Sequence, residues 1–365
     1  MNILVLCLSE GKGGLEFYIS KMAKNINRVE HKLFFCVKPG SHLDGILNNE
    51  PGKIFYLTKT LTYFPLLSAL RLAKIIDELS IDCLFLNWGA DLPLAAMAKA
   101  MSKKKPKLIY SRHMKLTRPK HDFYHRWIYA RVDLLLTISE QLRAEVLKYL
   151  PLGESQVKNC YLGVAQVPVQ QNDCVKIMQD FGLSNQGFHV ALFGRIEHGK
   201  GQHVLVDAIN ILNQRGVSIL AAIIGHVMDR SYYNSLRETI RLNGLEQNIR
   251  LIGFVDYPMK VMPCFDVIVL TTYEETFGLV LVEAMRCGVA VIGTRAGGVQ
   301  EIIDDGITGL MFEPGNAEEL ANCLQIMYEN DTQRKQMAEA GKRKADKNFD
   351  ETTHFSQLTQ LLMNL

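Results

Sequence analysis

The amino-acid sequence predicts two α/β domains, each built on a parallel sheet with helices on both faces. Three observations carry this. The chain has 365 residues, too many for one small domain and enough for two of ordinary size. Along most of its length, short apolar runs rich in Val, Ile and Leu alternate with stretches of helical periodicity, the pattern of parallel strands joined by crossover helices. In each half the opening strand-like run passes into a glycine turn and then a helix, as a nucleotide-binding α/β unit does. With 48% hydrophobic and 22% charged residues, the chain is globular and not disordered.

Taken in order, 2–8 reads as a buried strand, 9–14 (SEGKGG) as the glycine turn, and 15–27 as a helix through Leu15, Tyr18, Ile19 and Met22. Glycine lets a backbone approach a substrate closely, so Gly13 and Gly14 are candidate binding residues. Strand-like runs follow at 32–37, 53–57, 82–87, 107–111 and 134–138, with helical patterns at 64–79 and 93–101 among them. Arg112 and His113 come directly after a strand, at the carboxyl edge where open α/β sheets take ligands. That position makes His113 a candidate neutral hydrogen-bonding group for a ligand. Ser139 is placed to cap the helix that follows 134–138. The stretch 160–175, with Gly163, Gln166, Gln170, Gln171 and Asn172, predicts the hinge. The expected domains are therefore 1–165 and 166–347. A last helix at 348–365 carries apolar Phe355, Leu358, Leu361 and Leu362.

In the second half, 188–193 is a strand followed by Gly194-Arg195, then Lys200-Gly201, then a helix over 202–213. Two cations on one loop at the end of a strand suit a diphosphate, because arginine binds it with two parallel bonds and lysine as a point charge. The strand 218–224 ends at Gly225, and 248–255 (NIRLIGFV) contains Ile252. Runs at 267–270 and 289–292 have the composition of buried parallel strands. Between them stands YEETFGLVLVEAMRCG, 273–288. Its polar turn (Glu274, Glu275, Thr276) and Gly278 open a helix that Gly288 terminates. The first turn of a helix offers unpaired N–H groups and the positive end of a dipole, a seat for a phosphate, which singles out the amides near Phe277, Gly278 and Leu279. Glu275 falls at the helix mouth and Glu283 about two turns in, where a carboxylate can accept from paired ribose or sugar hydroxyls. Beyond it come a Gly297-Gly298 turn, a short helix at 299–303, a strand at 309–312, and helices at 317–328 and 332–347.

The net charge is only +3, but its distribution is uneven. Residues 1–165 hold 24 Lys and Arg against 14 Asp and Glu, and the remainder 17 against 24. The front half is thus expected to favour an acidic partner. Within it, 103–131 carries ten Lys and Arg, one acid (Asp122) and the aromatics Tyr110, Phe123, Tyr124, Trp127 and Tyr129. That reads either as a solvated basic surface or as one lying on anionic lipid with its aromatics at headgroup level. No nucleic-acid motif accompanies it. The eight cysteines include no CxxC pair, so buried free thiols and a reducing cytosol are expected, and no metal site. The apolar run 3–8 is too short for a signal peptide and lacks a basic leader. No apolar stretch approaches the ~20 residues that span a bilayer. Any membrane contact is expected to be peripheral.

At 273–288 the sequence resembles the retaining glycosyltransferases of family 4, which carry a glutamate, Phe-Gly and a second glutamate at this spacing. GRIEHGKG, 194–201, follows the same family's Gly-Arg, four residues, Lys-Gly pattern. The Gly13-Gly14 pair with Glu16, and DLLLTISE at 133–140, also match. Leu162-Gly163-Val164 keeps only part of the family's Asn-Gly-Val turn, and His226-Val227 departs from its usual glycine-rich run. The resemblance implies a GT-B fold: two Rossmann-like domains facing across a cleft, with the last helix crossing back to the first. It implies that Arg195, Lys200, Glu275 and His113 are catalytic, and that Gly194, Gly225, Ile252, Phe277, Gly278, Leu279 and Glu283 hold the donor. Gly13 and Gly14 would line the acceptor side. The activity implied is retaining, metal-independent hexosyl transfer. The donor would be a nucleotide-diphosphate sugar, with UDP-sugar expected, and no further cofactor. The acceptor would be a membrane-associated glycan or glycolipid (lipopolysaccharide, capsule or lipid-linked glycan), reached from the cytoplasm at an anionic inner-membrane surface, with no nucleic-acid partner. A sugar-nucleotide epimerase of the same fold and a non-catalytic nucleotide-sugar binding protein remain open alternatives. A bilobal extracytoplasmic binding protein is disfavoured by the missing export signal.

Overall fold

The computed structural model describes the chain except residues 12, 27–29, 49, 51, 59–60, 62 and 167–172. The hinge residues Gln170, Gln171 and Asn172, and Asn27 at the end of the first expected helix, therefore lie outside the described residues. Two compact units form: residues 1–163 with 352–365, and residues 164–351.

The first unit runs β1 (Asn2–Cys7), α1 (Gly14–Asn25), β2 (Lys32–Val37), α2 (His42–Leu47), β3 (Lys53–Tyr56), α3 (Leu66–Glu78) and β4 (Cys83–Leu86). It continues with α4 (Leu92–Met101), β5 (Lys107–Arg112), α5 (Phe123–Tyr129), β6 (Leu134–Thr137), α6 (Glu140–Tyr149) and β7 (Val157–Asn159). Its seven strands lie in the order β3-β2-β1-β4-β5-β6-β7, and every pairing is parallel. β4 and β6 are buried at every position, which is why their sequences are unbroken apolar runs rather than alternating ones. Ser139 caps α6 as expected, its Oγ accepting from the Leu142 N–H at 3.2 Å.

The second unit runs α7 (Cys174–Asp180), β8 (Phe188–Phe193), α8 (Gln202–Gln214), β9 (Ile219–Ile224), α9 (Arg230–Leu242), β10 (Ile249–Ile252) and α10 (Pro258–Val261). Then come β11 (Val267–Leu270), α11 (Leu279–Arg286), β12 (Ala290–Thr294), α12 (Val299–Ile302), β13 (Leu310–Phe312), α13 (Ala317–Glu329) and α14 (Asp331–Asn348). The sheet order is β10-β9-β8-β11-β12-β13, again all parallel. Its core joins Val190, Leu192, Ile223, Val267, Ile292 and Phe312 of the strands to Leu205, Leu324 and Met327 of the covering helices. Val164 enters beside the exit: its N–H donates to the Phe349 carbonyl at 2.9 Å, and the Glu351 N–H returns a bond to the Val164 carbonyl at 3.2 Å. The final helix, α15 (Glu351–Met363), belongs from residue 352 to the first unit, where Phe355 stacks on Tyr18 of α1.

Both sheets reverse their winding direction once, between β1 and β4 and between β8 and β11. The loops leaving those strand pairs diverge onto opposite faces and leave a crevice at the carboxyl edge.

The cysteines correct the sequence reading. Cys174, at the start of α7, and Cys264, just ahead of β11, form a disulfide across 90 positions. No local spacing signals a pair so distant, because only the fold brings the two segments together. Cys7, Cys36, Cys83 and Cys160 are buried free thiols as expected, while Cys287 and Cys323 are half-buried. With a disulfide in the chain, the cysteine usage no longer argues for a reducing compartment. Among the described residues no helix is long and apolar enough to cross a membrane.

Candidate functional site

The site candidates of the second unit are spread along the carboxyl edge of its sheet, with Arg195, Lys200 and Glu275 on the loops that leave β8 and β11. Past β8, the Gly194 N–H donates to the Ile224 carbonyl at 3.0 Å, and the Gly225 N–H to the Ile252 carbonyl at 3.2 Å. Gly194, Gly225 and Ile252 thus lie side by side across three strand ends. A Cβ on Gly225 would fall 1.8 Å from the Gly194 carbonyl oxygen, so glycine is required there by contact alone.

The loop 195–200 is fastened to the end of the neighbouring strand. Thr271 Oγ1 donates to the Lys200 carbonyl at 2.7 Å, and Thr272 Oγ1 and the Tyr273 N–H both donate to the Gly199 carbonyl at 3.2 Å. The buried Gln202 donates through Nε2 to the Arg195 carbonyl at 2.8 Å. These bonds fix the loop through its backbone carbonyls and do not involve the cationic heads. Lys200 Nζ meets Glu275 Oε2 at 3.0 Å, with the two side chains 24% and 19% exposed. Arg195 is more exposed and its guanidinium pairs with Glu197 at 2.9 Å. The structure therefore unites Lys200 with Glu275, while Arg195 on the same loop has a different carboxylate partner.

Helix α11 opens at Gly278, after the polar turn 274–276, as the sequence suggested. Gly278 precedes it in the left-handed region, at φ +100°, a conformation that favours glycine, and as N-cap residue it has no side chain to cap the first turn. Leu279 is the first helical residue, so Glu275 lies in the turn before the helix. Glu283 is only the fifth helical residue, about one turn in rather than two. Phe277 is buried edge-on against Phe349, 5.6 Å between ring centroids, which anchors the turn. The Gly298 N–H donates to the Glu275 carbonyl at 3.1 Å and holds the same turn from the other side.

Sequence reasoning missed an aromatic cluster against this loop. His203 Nδ1 lies 2.9 Å from the Tyr232 hydroxyl and its Nε2 lies 3.0 Å from the Tyr273 hydroxyl. The His198 ring lies parallel to that of Tyr273, 5.9 Å away. Burial holds the His203 imidazole below its ordinary pKa and pushes Tyr232 up to about 12, so both are neutral. These residues span 75 positions and share no local pattern. Thr271 and Thr272 were equally illegible, since they read simply as the end of a strand.

Gly13, Gly14 and His113 lie in the first unit. Glu16 is buried, accepting from Ser9 Oγ at 2.6 Å and from the Gly13 N–H at 2.9 Å, so its carboxylate shapes the turn. Within the protein itself neither glycine is forced: Gly13 is extended at φ −160° and a Cβ on Gly14 meets no protein atom within 4 Å. The tight place is Gly11, where a Cβ would sit 3.0 Å from Glu16 Oε1. His113 is half-buried, 3.0 Å from Ser111 Oγ through Nε2 and edge-on to Tyr18 at 4.9 Å. Burial, reinforced by His354, lowers its pKa to about 3, which keeps it the neutral group expected.

In the basic stretch, Tyr110 and Tyr129 are core side chains and cannot reach a headgroup layer. Arg112 is buried too, donating to the Tyr110 hydroxyl at 3.0 Å and the Lys115 carbonyl at 2.8 Å. The strand β5 and the inner face of α5 claim these residues; Phe123 remains exposed.

The family profile described as Glycosyl transferases group 1 matches residues 176–344, and that described as Glycosyltransferase Family 4 matches residues 12–165. The chain belongs to the family 4 type of glycosyltransferases. Among the curated relatives of this glycosyltransferase is the D-inositol 3-phosphate glycosyltransferase of Pseudarthrobacter chlorophenolicus, 27% identical over 69% of the chain. The match spans 60% of that relative's length. A glycosyltransferase structure from Rickettsia africae superposes with a TM-score of 0.91 at 19% identity, covering 100% of the chain and 98% of its own. The Anabaena protein HepE, solved in complex with UDP, gives a TM-score of 0.87 at 24% identity, covering 100% of both chains. These likenesses establish that the glycosyltransferase has the two-domain GT-B fold.

Proposed function

We propose that this glycosyltransferase moves a hexose, with retention of configuration and without a divalent metal, from a nucleotide-diphosphate sugar to a membrane-associated glycan or glycolipid. The observation that carries the reading is the Lys200–Glu275 contact at the switch point, beside the glycine-led start of α11. Arg195 and Lys200 neutralise the charge that develops on the departing diphosphate, and the amides near Phe277, Gly278 and Leu279 add fixed dipoles. That positive charge does the work a metal ion would otherwise do. Glu275 exchanges its bond with Lys200 for one to the donor sugar, and Glu283 accepts from the ribose hydroxyls. The bond between the anomeric carbon and the phosphate oxygen breaks as the acceptor oxygen attacks from the same face. The acceptor proton passes to that phosphate oxygen. His113 stays neutral and hydrogen-bonds the acceptor or the sugar.

UDP is the proposed nucleotide, a choice supported by the fold shared with HepE, which was solved with UDP. The excess of cations in residues 1–165 supports an acidic acceptor at the cytoplasmic membrane face, such as a lipopolysaccharide, capsule or lipid-linked glycan. Thermal shift against UDP-, GDP- and ADP-sugars tests the donor. A rise in melting temperature with UDP-sugars alone, undiminished by a chelator and reduced in Lys200→Ala, is the expected result. No shift with any nucleotide sugar would overturn the assignment.

A further inference from the structure

Six of the large apolar side chains that stand exposed fall within ten residues: Leu61, Tyr63, Phe64, Leu66, Leu67 and Leu70. Leu66, Leu67 and Leu70 open α3, and the exposed cations Arg71 and Lys74 follow on the same helix. Tyr63 and Phe64 lean on α5: the Tyr124 hydroxyl donates to the Tyr63 carbonyl at 2.7 Å, and the Tyr124 ring lies 5.4 Å from Phe64. With Pro93, Met97 and Trp127 these side chains line a small apolar cavity of about 170 Å³. Phe123, the first residue of α5, is 84% exposed, and Arg126 one turn on faces solvent. A folded domain in water rarely leaves so much apolar surface in one place unless something covers it. Here the cover must also suit cations, since the exposed Arg71 and Lys74 of α3 and Arg126 of α5 stand on the same two helices.

We propose that this face of the first unit docks on an anionic lipid bilayer. Leu66, Leu67, Leu70 and Phe123 enter the boundary between headgroups and acyl chains, with Tyr63, Tyr124 and Trp127 at headgroup level and Arg71, Lys74 and Arg126 over lipid phosphates. The apolar part of the contact is thus carried by the start of α3, outside the basic stretch, and by the exposed tip of α5. The inference rests on the reading that the acceptor is membrane-borne, and names the surface that would reach it.

The test is flotation of the full chain with vesicles of phosphatidylcholine alone and of phosphatidylcholine with phosphatidylglycerol. Wild type is expected to float with the anionic vesicles and to be released by salt. Leu67→Glu with Leu70→Glu is expected to weaken partitioning by about tenfold for each leucine, at an unchanged melting temperature because both side chains already face water. Phe123→Ser is expected to weaken it in the same direction, and keeps the test open if the double variant misfolds. If wild type binds neither vesicle, both this inference and the membrane-borne acceptor fall. If wild type binds the anionic vesicles and the well-folded variants bind equally, the membrane reading stands and the docking face proposed here is wrong. Equal binding to neutral vesicles overturns the choice of anionic lipid.

Discussion

Replacing Lys200 with alanine separates a catalytic cation from a structural one. In the free protein Lys200 faces Glu275 at 3.0 Å, with each side chain retaining access to water. The direct attraction at that distance is about 5 kcal/mol for an effective dielectric of about 20 and about 1 kcal/mol in bulk water. Desolvation and side-chain ordering offset most of it, so the pair contributes about 1 kcal/mol to stability. The backbone of the loop is held independently through the Lys200 and Gly199 carbonyls by Thr271, Thr272 and Tyr273, and alanine keeps those bonds. A cation on a departing diphosphate, by contrast, acts where charge develops, and its loss costs roughly 3–4 kcal/mol, or about a hundredfold to a thousandfold in turnover. The assay pairs donor consumption under saturating substrate with thermal melting of the same preparation. A loss of turnover well beyond the small drop in stability is expected, with Lys200→Arg recovering part of it. Loss of stability equal to the loss in activation free energy would refute the reasoning, since Lys200 would then be a fold residue.

Gly225→Ala drives a methyl into the Gly194 carbonyl, so the ends of β8 and β9 must part. A stability loss of about 2–3 kcal/mol together with weakened donor binding is expected in chemical denaturation and thermal-shift titrations. Arg286 is buried on α11 and pairs with Asp350 at 3.1 Å and Asp346 at 3.6 Å. Arg286→Met leaves two carboxylates facing an apolar side chain and is expected to cost about 2–4 kcal/mol in urea unfolding, with Asp350→Asn added to it restoring part. His113 has a folded pKa of about 3, below its unfolded value of about 6.5. Its contribution to stability is therefore complete above about pH 6.5 and lost as the pH falls towards 3. Urea unfolding of wild type and His113→Gln at pH 7, 5.5 and 4 is expected to show the wild type losing stability more steeply on acidification, and parallel profiles would contradict the burial argument.

Much of the architecture was legible because burial writes itself into local composition. Val267–Leu270 could be placed from its four apolar residues, since a strand covered on both faces leaves no room for alternation. The cationic loop was equally plain, as Arg195 and Lys200 are five positions apart on one strand end. The depth of Glu283 was not, because counting from Glu275 puts it two turns in, whereas the left-handed Gly278 delays the first helical residue to Leu279.

By itself the sequence determined the two parallel α/β domains, the order of most of their strands along the chain though not the short β7, and the residue types that could meet a diphosphate. Those follow from periodicity and from side-chain chemistry, which are local properties. Only the tertiary structure decided that Lys200 meets Glu275, that Thr271 and Thr272 lock the loop, that Glu16 shapes its own turn, and that Cys174 finds Cys264. Each of these joins segments that the chain order keeps apart, or depends on which way a carboxylate turns once it is buried, and neither is encoded in a local pattern.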